Sequence, residues 1–144
     1  MNKKCNKIII KSEDGFRDGK FYIDELVITD SHMSYKLQIH NKNKLLQDTC
    51  TEVYPYKIYM DPLFDFVNNN EFIIDEKYVV KFGEYISLTF YFDDGTEKEI
   101  HAYYEDISYV SNELFKFLRL LDRALEGTFV HPGYLYFEPE YDRY

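Results

Sequence analysis

Two runs of alternating residues on either side of Asp94-Gly95 constrain this chain more than any other stretch. Ile86, Leu88, Phe90 and Phe92 share one parity, and Ile100, Ala102 and Tyr104 share another, the period of two that marks half-buried strands. A two-residue loop would pair Leu88 with His101 and send the two apolar sets to opposite sides of the sheet. A three-residue loop, Asp93-Asp94-Gly95, pairs Phe92 with Thr96, Leu88 with Ile100 and Ile86 with Ala102, so both sets meet on one face. Gly95 then supplies the left-handed residue that such a loop requires. Beyond the hairpin, Val110, Leu114, Phe117, Leu118, Leu121 and Leu125 recur at offsets of 4, 7, 8, 11 and 15, which places them on one helical face. Ser108 or Ser111 stands where an N-cap is needed, and Gly127 follows the last periodic residue as a C-cap. The helix is expected to lie on the apolar face of the hairpin.

The rest of the chain gives weaker signals. Met33, Tyr35, Leu37 and Ile39 alternate with polar residues and predict a strand. Its expected partner, Phe21 to Thr29, changes parity between Ile23 and Leu26, which a bulge near Asp24-Glu25 would accommodate. Asp30-Ser31-His32 is the expected turn between them. Tyr54, Tyr56, Ile58 and Met60 alternate again, with Pro55 pointing to an edge or a strand start. Asp61-Pro62 resembles an N-cap followed by proline at the first position of a short helix, Pro62 to Asn68, which three asparagines end. Phe72 to Ile74 and Tyr78 to Phe82 are expected as short strands. So is Thr128 to Val130 or Tyr134 to Phe137, with His131-Pro132-Gly133 turning between them. Consecutive strands joined by short turns favour an α+β fold: a mainly antiparallel sheet of five to seven strands, carrying one long C-terminal amphipathic helix and one short helix. Residues 1–144 are expected to form a single domain, with 128–144 an acidic, aromatic C-terminal segment.

Composition narrows the classes of function. With 45% hydrophobic residues, twelve Phe and fifteen Tyr in 144 residues, the chain has the material for one core and is unlike a disordered segment. Ile8 to Ile10 is the only apolar run near the start and is too short for a secretion signal. Nowhere do eighteen apolar residues run together, so the expected location is the cytoplasm. Cys5 and Cys50 lie 45 positions apart without a CxxC spacing and are expected to be unpaired thiols. The net charge of −9 is unevenly distributed: residues 1–60 carry ten bases against eight acids, and residues 61–144 carry seven against eighteen. Such a field attracts a basic protein surface and repels nucleic acid and anionic membranes.

Candidate sites follow from the hairpin register. On its outer face Tyr85 opposes Tyr103, Ser87 opposes His101, Thr89 opposes Glu99 and Tyr91 opposes Glu97, with Asp93 and Asp94 at the tip. Large amphipathic rings among acids suit protein binding, although strand propensity also accounts for tyrosines there. Glu97 and Glu99, roughly two phosphate rises apart, resemble a row of charges on one DNA strand. A second cluster, Tyr136, Glu138, Glu140, Tyr141 and Asp142, has the make-up of an acidic docking peptide. Glu97, Glu99 and His101 also have the chemistry of metal ligands, which opens an alternative reading as a small metal-dependent hydrolase. A small-molecule sensor with an aromatic pocket is a third. The chain contains no GxSxG elbow, no glycine-rich phosphate loop and no zinc-finger or metalloprotease spacing of its four histidines. No catalytic residue, metal or cofactor is assigned on this basis. The leading expectation is a small acidic protein-binding module of the inhibitor or immunity type that occludes a basic surface, such as a nucleic-acid-binding one, on another protein.

Overall fold

A computed structural model describes residues 3–17, 20–43, 45–81, 84–130 and 132–135. Six strands, β1 (Cys5–Arg17), β2 (Lys20–Thr29), β3 (His32–Asn41), β4 (Leu46–Pro55), β5 (Glu84–Phe92) and β6 (Glu97–Tyr104), form one antiparallel sheet in the order β4-β3-β2-β1-β5-β6. Helices α1 (Asp61–Asn69), α2 (Ile107–Val110) and α3 (Asn112–Ala124) complete the α+β fold. Neither alternation nor turn chemistry marked β1, yet it is central, pairing with both β2 and β5. Its Ile8-Ile9-Ile10 run suits that position, because β-branched side chains pack well on a pleated surface. Ile8 and Ile10 are fully buried on the helical side, while Ile9 is half-buried on the other.

The hairpin register is the one its turn chemistry predicts. Leu88 pairs with Ile100 and Ile86 with Ala102, the Phe92 amide donates to the Thr96 carbonyl at 2.9 Å, and Gly95 has φ +86°. Onto the resulting apolar face α3 lays Leu114, Phe117, Leu118 and Leu121, all fully buried. Phe90, Phe117 and Phe72 form an aromatic nucleus with centroids 5.2 to 6.0 Å apart. Each such ring, fully buried, contributes roughly 1.5–3 kcal/mol through removal of its surface from water.

Several expectations are corrected. The β2–β3 register runs unbroken from Lys20↔Asn41 to Ile28↔Met33, so no bulge sits at Asp24-Glu25. Asp24 instead remains on the core side and is buried, its carboxylate accepting from the Ser12 hydroxyl at 2.6 Å and the Tyr35 hydroxyl at 2.8 Å. Those partners make the buried carboxyl group tolerable where an apolar residue would continue the alternation. The strand expected from Tyr54 lies earlier, and Ile58–Met60 is a 3-10 turn. Asp61 is the first residue of α1 rather than its cap, and its carboxylate accepts from the Tyr56 hydroxyl. Residues 72–74 form no strand, because Phe72 turns into the aromatic nucleus. Glu76–Tyr78 is a 3-10 turn capped by Asp75, and residues 79–81 form no strand either. Ser111 caps α3, accepting from the Leu114 amide at 3.2 Å, whereas Asp106 caps α2. Residues 128–130 form no strand, and Gly133–Leu135 is a 3-10 turn; Phe82, His131 and Phe137 lie outside the described residues. The helix ends at Ala124 with Leu125 as its C-cap, so Gly127, expected as the cap, lies two residues further on, in the turn that follows, with φ +82°. Both cysteines are free, Cys5 buried and Cys50 exposed. No helix among the described residues is long and apolar enough to cross a membrane.

Candidate functional site

With the helices on one side, cross-strand pairing arranges the side chains of the other side in rows. One row reads Thr51, Lys36, Glu25, Lys11, Ser87, His101 from β4 to β6, and its neighbour reads Thr49, Gln38, Ile23, Glu13, Tyr85, Tyr103. A third row is Val53, Ser34, Val27, Ile9, Thr89, Glu99. The face thus carries a central charged and polar row, with the half-buried aliphatics Ile9 and Val27 on one side of it and Ile23 and the paired tyrosines on the other. A groove of about 480 Å³ opens on it, bounded by Lys11, Lys36, Glu25, Tyr85 and Glu99 among others.

Every hairpin residue expected on this face is there. Tyr85 opposes Tyr103 with ring centroids 4.8 Å apart, Ser87 opposes His101, Thr89 opposes Glu99, and Tyr91 opposes Glu97. Tyr103 is 39% exposed on the outermost strand. Burial raises the Tyr85 hydroxyl above its ordinary range, and the Glu99 carboxylate pushes the same way against an opposing hydrogen bond from Ser87. The tip acids have local work. The Asp94 carboxylate accepts from the Thr96 hydroxyl at 2.6 Å and the Thr96 amide at 2.9 Å, bonds that hold it below the usual carboxylate range. Asp93 accepts from the Lys4 amide at 3.0 Å and donates its own amide to the Lys4 carbonyl at 2.8 Å. These contacts tie the basic N-terminal stretch to the acidic hairpin. Lys3 sits 4.4 Å from the centre of the Phe92 ring and Lys7 5.2 Å from that of Tyr91. The acids left facing outward on this element are Glu97 and Glu99.

Glu99 lies 3.4 Å from His101, with both side chains more than half exposed. Among the described residues no three His, Cys, Asp or Glu side chains converge as a metal would require, so Glu97, Glu99 and His101 do not form a ligand set by themselves. The tail residues Tyr136, Glu138, Glu140, Tyr141 and Asp142 lie outside the described residues.

One acidic feature was not visible in the sequence. Asp30 from the β2–β3 turn and Asp61 and Asp65 from α1 meet around Tyr56 and Phe64 in a hollow of about 270 Å³. Burial, then the bond to Asp61 and the carboxylates of Asp65 and Asp30, keeps the Tyr56 hydroxyl protonated well above the tyrosine range. Only the Asp61/Asp65 spacing, one helical turn, hints at it in the chain. Comparisons with protein-family models, curated proteins and solved structures found no match.

Proposed function

We propose that this protein is an acidic protein-binding module, of the inhibitor or immunity type, whose β5–β6 face covers a basic surface on another macromolecule in the cytoplasm. The observation that carries the reading is the register of that hairpin: it sets Glu97, Glu99, His101, Tyr85 and Tyr103 together on the helix-free side of a rigid sheet. Exposed amphipathic rings beside carboxylates provide contact area at little entropic cost, while the charge guides encounter. Asp93 and Asp94 shape the tip of this element rather than meeting the partner directly, and Tyr91 carries Lys7. A basic surface that normally holds nucleic acid would be matched by the Glu97/Glu99 spacing.

Affinity capture of basic proteins from a cell lysate tests the reading when three forms are compared: the full chain, the Glu97→Lys/Glu99→Lys variant and the chain ended after Gly133. Capture is expected to be lost in the double variant and retained in the shortened chain. Equal capture by the double variant and the full chain would overturn it.

A further inference from the structure

The two edges of the sheet are finished differently. On β6, Glu97, Lys98 and Glu99 crowd the start of the strand, and the Val80 amide donates to the Tyr103 carbonyl at 3.1 Å, covering its other end. β4 is ten residues long, from Leu46 to Pro55, and its residues are exposed apart from Glu52 and Tyr54, which are partly covered. Among the described residues no backbone group of another segment bonds to its outer side. Proteins commonly protect such an edge with lysines, an internal proline or a bulge, because unpaired amides and carbonyls are a template for another strand. From Leu45 to Tyr56 there is no basic residue, the single proline lies at one end of the strand, and its one register shift, between Leu46 and Asp48, lies at the other, which leaves Asp48 to Pro55 regular. Val53 is 65% exposed, and Thr49, Thr51 and Val53 line the helix-free side with residues that favour extended pairing.

What the edge does carry is two carboxylates. Glu52 pairs with Tyr35 and Asp48 with Ile39 in one unbroken register, so both project to the helical side, four residues or about 13 Å apart, with exposed Cys50 between them. These acids decide against a second copy of the chain as the occupant. Antiparallel self-pairing centred on Cys50 puts Asp48 opposite Glu52 twice. Centring it on Thr49 or Thr51 leaves like carboxylates diagonal across the pair, still within reach of each other.

We infer that the outer edge of β4 receives an extended segment of a partner protein by strand addition, and that Asp48 and Glu52 select one carrying Lys or Arg four residues apart. Main-chain bonds supply the attachment and the alternate side chains its specificity. This surface lies at the opposite edge of the sheet from the hairpin face, so it stands or falls independently of the function proposed above.

The probe is a blocked ten-residue peptide of Thr and Val with Lys at its fourth and eighth positions, which antiparallel pairing sets opposite Glu52 and Asp48. The control has Glu at those two positions. The full chain is titrated with each, following affinity and residue-resolved amide exchange. The Lys peptide is expected to bind and to slow exchange along β4, and the Glu peptide to bind about tenfold more weakly, the effect of two cross-strand charge pairs. Asp48→Lys/Glu52→Lys should reverse the preference, and the near-isosteric Asp48→Asn/Glu52→Gln should abolish it without disturbing the fold. Three outcomes would overturn the inference: protection appearing on β5 and β6 instead, equal binding of both peptides, or β4 protected without peptide in a concentration-dependent self-associated form.

Discussion

Asp24 is the residue whose removal should be felt most widely, because two buried hydroxyls depend on it. Asp24→Ala would remove the carboxylate to which the buried Ser12 and Tyr35 hydroxyls both donate. The expected cost is about 2–4 kcal/mol in urea denaturation, against about 1 kcal/mol for Tyr35→Phe. A loss for Asp24→Ala no larger than for Tyr35→Phe would show that the carboxylate does not organise the site. The sequence marked this position through the parity change between Ile23 and Leu26, but a bulge and a buried acid explain that change equally well. Only the partners arriving from β1 and β3, twelve and eleven positions away, distinguish them. Cys5 gives a pH-dependent counterpart. Burial raises its thiol from an ordinary 9.0 to about 11, opposed by bonds involving the Lys7 and Tyr91 backbone. The unfolded chain therefore ionises first as pH climbs. The stability this provides is fully present below about 9 and is lost as pH rises to about 11. Tyr85 and Tyr134, also raised by burial, push in the same direction, so the Cys5 share is read by comparison with Cys5→Ala. A variant that loses stability as steeply as the parent over that interval would contradict the assignment.

Among the elements, α3 depends on one residue for its start. Ser111 closes α2 by donating its amide to the Ile107 carbonyl, and its hydroxyl caps α3. Ser111→Ala should cost about 1 kcal/mol in thermal unfolding, and an unchanged midpoint would mean that packing of Leu114 and Phe117 holds the first turn unaided. The β5–β6 hairpin and α3 were legible in the chain because each combines a long periodic pattern with a terminating residue that has one conformational role. β1 was not, since its isoleucine run does not alternate when both faces of a central strand are at least partly covered. Most of β4 was hidden for the opposite reason: an edge strand exposed on both sides imposes no apolar period. The runs at 72–74 and 78–82 invited a strand reading by composition, yet Phe72 is an isolated anchor and Asp75 caps a tight turn.

At the scale of the molecule, strand order brings the basic part of the chain against the acidic part among the described residues. β1 runs between β2 and β5, so lysines from the basic part of the sequence line the centre of the helix-free face and cover the hairpin tip. Carboxylates gather at separate places, Glu97 and Glu99 on the β6 margin and Asp30, Asp61 and Asp65 around Tyr56. The excess of acid is a property of the sequence; strand order, set by non-local pairing, decides where its described part faces. On the function proposed above, the β6 margin attracts a basic partner by charge. This attraction is tested most directly by the salt dependence of Kd for the captured complex, compared with that of Glu97→Lys/Glu99→Lys. Between about 50 mM and 500 mM salt, over which screening shortens to a few ångströms, the parent complex should weaken by about tenfold or more while the variant's weaker binding changes little. An affinity that stays constant across that range in the parent would contradict the account.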